Sequence, residues 1–307
     1  MRCGTNFGLF STALDDKNHL HELEVIRRTA AAGFDTMDLS TTKLEDPNSY
    51  LRADDWERRV DMIGETAAKC GITFSQLHLP YHKGGEAAKD PRFKLPGFDR
   101  AFELCMERAY MAGGRLGIPW AAAHCIGPWE NGFDREDTIR LNREFYDKYV
   151  ELGIKHGVGT TFENMVQGAP GRAKIRYTAH QDELIEYVDG YRDPMVGICW
   201  DFGHANITGL DQRYAVRKVG KRLKIVHIQD NHGDADEHLI PFMGTVDWYM
   251  VSDVLAEVGF DGSLSLEIGG YPKNAPRAMQ DAIAKLAYET VERLRSMCEE
   301  AKKNRQK

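Results

Sequence analysis

Nine side chains able to bind a cation or carry a proton fall at, or just after, the ends of short apolar runs in this chain. His78, His124, Glu163, Asp201, His227 and Glu267 close such runs; His204 follows Asp201 by three residues, and Asp236 and His238 lie beyond His227. Taken singly, a histidine or glutamate in such a place is best explained as a satisfied core polar group or a solvated loop charge. Brought together, carboxylates and imidazoles could not stay unpaired without large electrostatic and desolvation costs, whereas one divalent cation satisfies several at once. Glu163, Asp201, His227 and Glu267 therefore read as the ligands of a metal ion. His78, His124, Asp236 and His238 read as groups for substrate or for an additional metal. A hard shell of mixed nitrogen and oxygen donors suits one Mn²⁺, Mg²⁺, Co²⁺ or Zn²⁺ ion, with Mn²⁺ favoured.

Groups so far apart in the chain need a scaffold that gathers them. Short β-rich runs alternate with longer segments of helical periodicity, the pattern of parallel strands joined by crossover helices. Eight strands are expected near 4–9, 34–39, 72–79, 120–126, 158–163, 195–201, 223–229 and 263–268. Between them, Leu20, Leu23, Ile26 and Ala30, and again Leu141, Phe145, Tyr149 and Leu152, recur at spacings that turn one apolar stripe towards a sheet. Three joints, AAAGFDTMDL, AAKCGITFSQL and AEVGFDGSLSL, place a glycine where a left-handed cap would end a helix just before a strand. The expected fold class is α/β, a (β/α)₈ TIM barrel, as one domain over residues 1–298 with a charged tail at 299–307. In such a barrel the C-terminal ends of all strands meet at one face, so the nine groups converge there. The polar, Lys- and Gly-rich stretch 81–95 follows the third strand and reads as a loop over that face.

Bulk properties narrow the possibilities. The 307 residues are 42% hydrophobic and 28% charged, and no apolar run approaches the ~18 residues of a spanning helix. The start lacks the apolar core and cleavage site of a signal peptide, so a cytoplasmic location is expected, with no membrane partner. Six cysteines without a C-x-x-C pair suit buried reduced thiols. A net charge of −7 works against non-specific nucleic-acid binding.

The segments TTFENM (160–165), ICWDFGHAN (198–206), VHIQDNHGDADEHL (226–239) with Gly244 and Asp247 after it, and SLEI (265–268) resemble the xylose-isomerase-like barrel superfamily of sugar and sugar-phosphate isomerases and epimerases, over nearly the whole chain. The resemblance implies that Glu163, Asp201, His227 and Glu267 hold the metal and that His204 lies beside a sugar substrate. The same superfamily contains the trinuclear zinc enzyme endonuclease IV, and all nine groups fall at positions that look like its ligand set. The acidic chain, however, shows no basic stripe for DNA. Ketose 3-epimerases usually carry an arginine just after the strand-7 ligand. Here His227 is followed by IQDNHGDADEHL, which has none, and this leaves the hydroxyl pattern of the substrate open.

The expected chemistry is isomerisation or epimerisation, with Glu163 and Glu267 exchanging protons with the substrate. His204 reads as a third catalytic residue that orients or protonates a sugar hydroxyl, with support of Asp201 from behind as the alternative. A lyase on the same scaffold, a dehydratase or a C-glycoside-cleaving subunit, is the alternative. A sugar-binding protein that retains the metal site is a third reading, opposed by the presence of both glutamates. Trp129, Trp200, Phe7 and Phe10 are expected to pack, and His82, His232, Lys83, Lys89 and Lys94 to be ordinary loop groups. A homodimer or tetramer is expected from the resemblance.

Overall fold

The computed structural model describes residues 1–10, 21–41, 49–80, 100–127, 134–166, 176–269 and 275–306. Eight strands form in the order expected: β1 Arg2–Asn6, β2 Thr36–Ser40, β3 Thr73–His78, β4 Trp120–Ala123, β5 Gly159–Glu163, β6 Val196–Asp201, β7 Leu223–Ile228 and β8 Ser263–Leu266. Each pairs in parallel with the next, and β8 pairs with β1, so the sheet closes into a barrel. Between and after the strands lie α1 His21–Ala32, α2 Trp56–Lys69, α3 Arg100–Leu116, α4 Arg135–His156, α5 Gln181–Asp189, α6 Phe202–Thr208, α7 Gln212–Val219, α8 Trp248–Glu257 and α9 Arg277–Arg305.

The helical stripes face the sheet as their spacing requires. Ile26, Leu141, Phe145 and Tyr149 are buried, while Leu23, Ala30 and Leu152 pack half-buried against the same core; Leu20 lies outside the described residues. Fully burying one such aliphatic side chain contributes about 1.5–3 kcal/mol. At the three glycine joints, Gly33, Gly71 and Gly259 take φ of +114°, +72° and +72°. A side chain there would cost roughly 1–2 kcal/mol, which explains why the joints share this residue.

Two apolar clusters result. The larger fills the layer between strands and helices; the smaller comprises Ala122, Cys199 and Ile225 with half-buried Trp120 against them. Side chains alternate along a strand, so Ala122, Cys199 and Ile225 share the inward face with the residues two places on: His124, Asp201 and His227. The small cluster is thus the floor beneath the polar groups.

Three expectations need correction. The fourth strand ends at Ala123, three residues earlier than expected, so His124 lies just past it. The first strand ends at Asn6, earlier than expected, because Asn6 Oδ1 accepts the backbone N–H of Gly8 at 2.9 Å and turns Phe7–Phe10 into a 3₁₀ helix. The charged end is not a tail: α9 continues to Arg305. Its charges are spent on the barrel, Arg305 meeting Asp253 at 2.6 Å and Lys302 donating to the Phe260 carbonyl. None of the six cysteines forms a disulfide, and five of them are buried. Among the described residues, no helix is long and apolar enough to cross a membrane.

Candidate active site and metal centre

Inward-facing register brings the strand ends together. Asp201 stands opposite His227, Glu163 opposite Cys199, and His227 opposite Ser265, two residues before Glu267. One donor atom from each of Glu163, Asp201, His227 and Glu267 lies within 4.8 Å of the others, a grouping that could hold a metal ion. His227 Nδ1 is 3.1 Å from Glu163 Oε1 and 3.1 Å from Glu267 Oε2.

Local structure aims these atoms. Asp201 caps α6: its Oδ1 accepts the His204 backbone N–H at 2.7 Å, leaving Oδ2 for the site. Asn164 ties the neighbouring strand ends together, its Oδ1 accepting the Asp201 N–H at 2.6 Å and its amide donating to the Asp201 carbonyl at 2.8 Å. Glu163 and Asp201 are thereby held side by side. On the far side of Glu163, Oε2 pairs with His124 Nε2 at 3.0 Å and lies 3.9 Å from His78 Nε2, which is also 3.6 Å from Glu267 Oε1.

The remaining predicted groups form an adjoining shell. His204 donates from Nδ1 to the Asn164 carbonyl at 2.8 Å, with Glu163 Oε1 at 3.2 Å; its Nε2 is 3.5 Å from Asp236 Oδ2. His238 pairs with the same oxygen at 3.2 Å and donates from Nδ1 to the Glu267 carbonyl at 2.6 Å. His204 is buried, and its contacts suit a support of Glu163 and Asp201 better than an exposed proton donor. Phe7, Phe10 and Trp200 are buried packing residues, and His232 is an exposed partner of Glu237. Trp129, His82, Lys83, Lys89, Lys94 and the whole stretch 81–95 lie outside the described residues.

The loop after β7 is held from beneath. Asp230 and Leu239 exchange backbone hydrogen bonds, and buried Asp230 accepts from Asn231 N at 2.9 Å, Val246 N at 3.1 Å and Trp248 Nε1 at 2.9 Å. Gly244 passes so close that a Cβ would lie 2.3 Å from the Asn231 carbonyl oxygen, so only glycine fits. Asp230→Ala strands three buried donors and is expected to destabilise the protein by about 3–5 kcal/mol. Urea unfolding checks this; a loss under 1 kcal/mol would show that the loop does not depend on Asp230.

The electrostatics are those of crowded carboxylates. Burial, with Glu163 and Glu267 nearby, pushes the Asp201 carboxyl up to about 7. Burial would also raise Glu267, but His227 and His78 outweigh it and hold the carboxyl down to about 2; Glu163 is likewise held well below its usual range by His227 and His124. Burial disfavours a charge on His227, yet Cys199, Glu163 and Glu267 raise its pKa well above the ordinary value. Glu163 Oε1, Asp201 Oδ2 and Glu267 Oε2 are buried with no hydrogen-bond partner among the described residues, one oxygen from each carboxylate. Three such oxygens beside an imidazole Nδ1 fit the donor set of a hard divalent ion.

Four residues near the site were not singled out from the sequence. Asn164 follows Glu163 directly; Gln76 shares the inward face of β3 with His78 and could have been found by alternation; Asp38 lies inward on β2 opposite Gln76. Arg176 had no local signal: it arrives from the segment after β5 and is within electrostatic reach of Glu163 and Asp236. Two residues later Thr178 sits at φ +67°, a region β-branched residues seldom enter, with its hydroxyl donating to the Glu163 carbonyl at 3.2 Å.

A family model described as a xylose isomerase-like TIM barrel matches residues 26–296. The chain belongs to this family. Among curated relatives, an uncharacterised protein, MJ1311, of Methanocaldococcus jannaschii is 32% identical over 200 residues, 62% of this chain and 63% of that protein's length. The D-psicose 3-epimerase of Enterocloster bolteae is 23% identical over 274 residues, covering 87% of this chain and 84% of the epimerase. Among solved structures, the IOLI protein with a bound zinc atom superposes with a TM-score of 0.69 at 17% identity, covering 98% of this chain and 99% of the other, a likeness of fold.

Proposed function

We propose that this barrel is a metal-dependent isomerase or epimerase of a sugar or sugar derivative, with Glu163, Asp201, His227 and Glu267 as the metal ligands and Glu163 and Glu267 as the proton-exchanging pair. The observation that carries this reading is how the two glutamates divide their oxygens. Glu163 turns Oε1 and Glu267 turns Oε2 towards His227 Nδ1, each at 3.1 Å, while Glu163 Oε2 and Glu267 Oε1 face His124 and His78. Each carboxylate thus has one oxygen for the cation and one for a proton. The likeness to a D-psicose 3-epimerase and to a zinc-holding barrel supports the sugar and the metal respectively. Mn²⁺ is the favoured ion.

A divalent ion bound here supplies the polarisation that makes the hydrogen on a carbon beside a carbonyl acidic. Glu163 and Glu267, arriving from different strands, address that carbon from two sides. If one takes the proton and the other returns one on the opposite face, the stereocentre inverts; return to the adjacent carbon interconverts aldose and ketose. His78 Nε2, 3.6 Å from Glu267 Oε1 and 3.9 Å from Glu163 Oε2, is placed to meet a substrate hydroxyl, and His124 and Arg176 flank Glu163. His204 braces Glu163 and Asp201.

A second reading, phosphodiester cleavage with several zinc ions, is favoured by one observation: His78, His124 and Glu163 form another group with donor atoms within 4.8 Å. The purified protein, its metal content measured, is to be incubated with a panel of ketoses and aldoses in D₂O and followed by NMR. About one ion per chain with deuterium entering a sugar carbon next to the carbonyl is the expected result. Three zinc ions without sugar turnover would favour the second reading, and a product of lower mass would mean elimination, hence a lyase.

A further inference from the structure

The second strand contributes a buried carboxylate, Asp38, outside the four proposed ligands, whose donor atom lies within 4.8 Å of those of His78 and His227. Asp38 is 1% exposed. Its Oδ2 accepts from His78 Nδ1 at 2.7 Å and from the Gln76 amide at 2.9 Å, and the same amide nitrogen lies 2.9 Å from His227 Nε2. One carboxylate oxygen therefore braces a histidine on β3 directly and, through Gln76, the histidine on β7. The strands dictate this: Asp38 stands opposite Gln76 in the β2–β3 register, with His78 two residues further along the same face.

The consequence falls on His78. With Nδ1 engaged as donor to a carboxylate, Nε2 is the nitrogen left to face the site, and it is buried without a hydrogen-bond partner among the described residues. It is 3.6 Å from Glu267 Oε1 and 3.9 Å from Glu163 Oε2, between the two oxygens not turned towards His227. The ring cannot easily turn away, being stacked on His227 at 4.6 Å and 21° and edge-on to His124 at 5.9 Å.

We propose that Asp38 is a positioning residue that fixes the ring orientation and tautomer of His78, so that Nε2 meets a substrate oxygen held between Glu163 and Glu267. This rests on the reading of those glutamates as the reacting pair. The two nitrogens of an imidazole are interchangeable until something fixes one of them, and a carboxylate at Nδ1 does so. Removing Asp38 leaves Nδ1–H without its acceptor, and the proton redistributes to Nε2, where it opposes any substrate hydroxyl that would donate there. The side-chain partners of Asp38 Oδ2 are His78 and Gln76, so in this proposal its effect passes through His78.

The test uses the full chain loaded with diamagnetic Mg²⁺ or Zn²⁺ and labelled with ¹⁵N-histidine, as wild type, Asp38→Asn and Asp38→Ala, with His78→Gln assigning the resonance. Long-range ¹H–¹⁵N spectra are expected to show the His78 proton on Nδ1 in wild type and moved largely to Nε2 in Asp38→Ala. On a sugar that the wild type turns over, kcat should fall roughly 10- to 100-fold with KM changed less than about threefold. Asp38→Asn keeps an acceptor oxygen without the charge and should lose about 10-fold or less; it also carries the test if the alanine variant does not fold. A wild-type His78 proton on Nε2, or a kcat within about twofold of wild type in a variant whose His78 tautomer has moved, would overturn the proposal. A fall in KM-related affinity with kcat unchanged would also overturn it. If no sugar is turned over, the proposed function fails on its own account, while the spectra still decide whether Asp38 sets the His78 tautomer.

Discussion

Glu267→Gln is expected to lower turnover of a responsive sugar by about 10³-fold, with loss of deuterium incorporation at the carbon beside the carbonyl. Glutamine matches glutamate in shape, so the floor of Ala122, Cys199 and Ile225 stays packed. What disappears is the charge facing His227 Nδ1 at 3.1 Å and the basic oxygen 3.6 Å from His78 Nε2. Glu163→Gln should fall by a similar factor and lose more metal, because Glu163 also holds His124 at 3.0 Å. If the two act as a pair on one proton transfer, the double variant should be little slower than either single one. Steady-state rates and the D₂O exchange assay measure this; Glu267→Gln with a rate within about tenfold of wild type would leave that glutamate no role beyond holding the ion.

Removing the divalent ion by chelation is expected to abolish turnover and to lower stability by about 4 kcal/mol relative to protein at a thousandfold excess of ion over Kd. The physical basis is the crowding of buried Glu163 and Asp201 with half-buried Glu267, whose mutual repulsion an ion would relieve. Asp201→Asn should then act with opposite signs in the two states. Without metal it removes a carboxylate that burial already pushes up to about 7, so at neutral pH it should leave the protein as stable or more so. The sign follows from the raised pKa: the folded state penalises the charged form, and the penalty grows as pH rises from the ordinary carboxylate value towards about 7. With metal present, the same substitution removes a ligand and should lower stability by a few kcal/mol. Thermal unfolding of both proteins with and without added Mn²⁺ makes the comparison. An Asp201→Asn protein gaining as much from Mn²⁺ as wild type would exclude Asp201 from the ligand set.

Much of this site was legible from sequence because barrels obey a simple rule. A strand alternates its faces, so a polar residue ending an apolar run on an inward position must lie at the mouth, and Glu163, Asp201, His227 and Glu267 all met that condition. The glycine joints were legible for an equally local reason, since a left-handed cap excludes other residues at little information cost. Gln76 was accessible to the same rule, being two residues before His78, but an amide in a strand gives no chemical alarm.

Other features needed the closed barrel. Asp38 sits in FDTMDL, an ordinary-looking strand, and matters only because β2 lies beside β3 and sets its carboxylate 2.7 Å from His78 Nδ1. Arg176 is within electrostatic reach of Glu163, a relation that no periodicity in the sequence marks. The last charged residues looked like a frayed end, yet Arg305 and Lys302 find partners on α8 and on the chain just before β8, so the helix continues. Local pattern and residue chemistry thus determined the fold class, the order of the eight strands and a set of groups that could hold a cation. Tertiary packing decided which oxygen of each glutamate turns towards His227, which nitrogen of His78 meets Asp38, and which distant residues hold them, because those depend on distances across strands that a one-dimensional pattern does not contain.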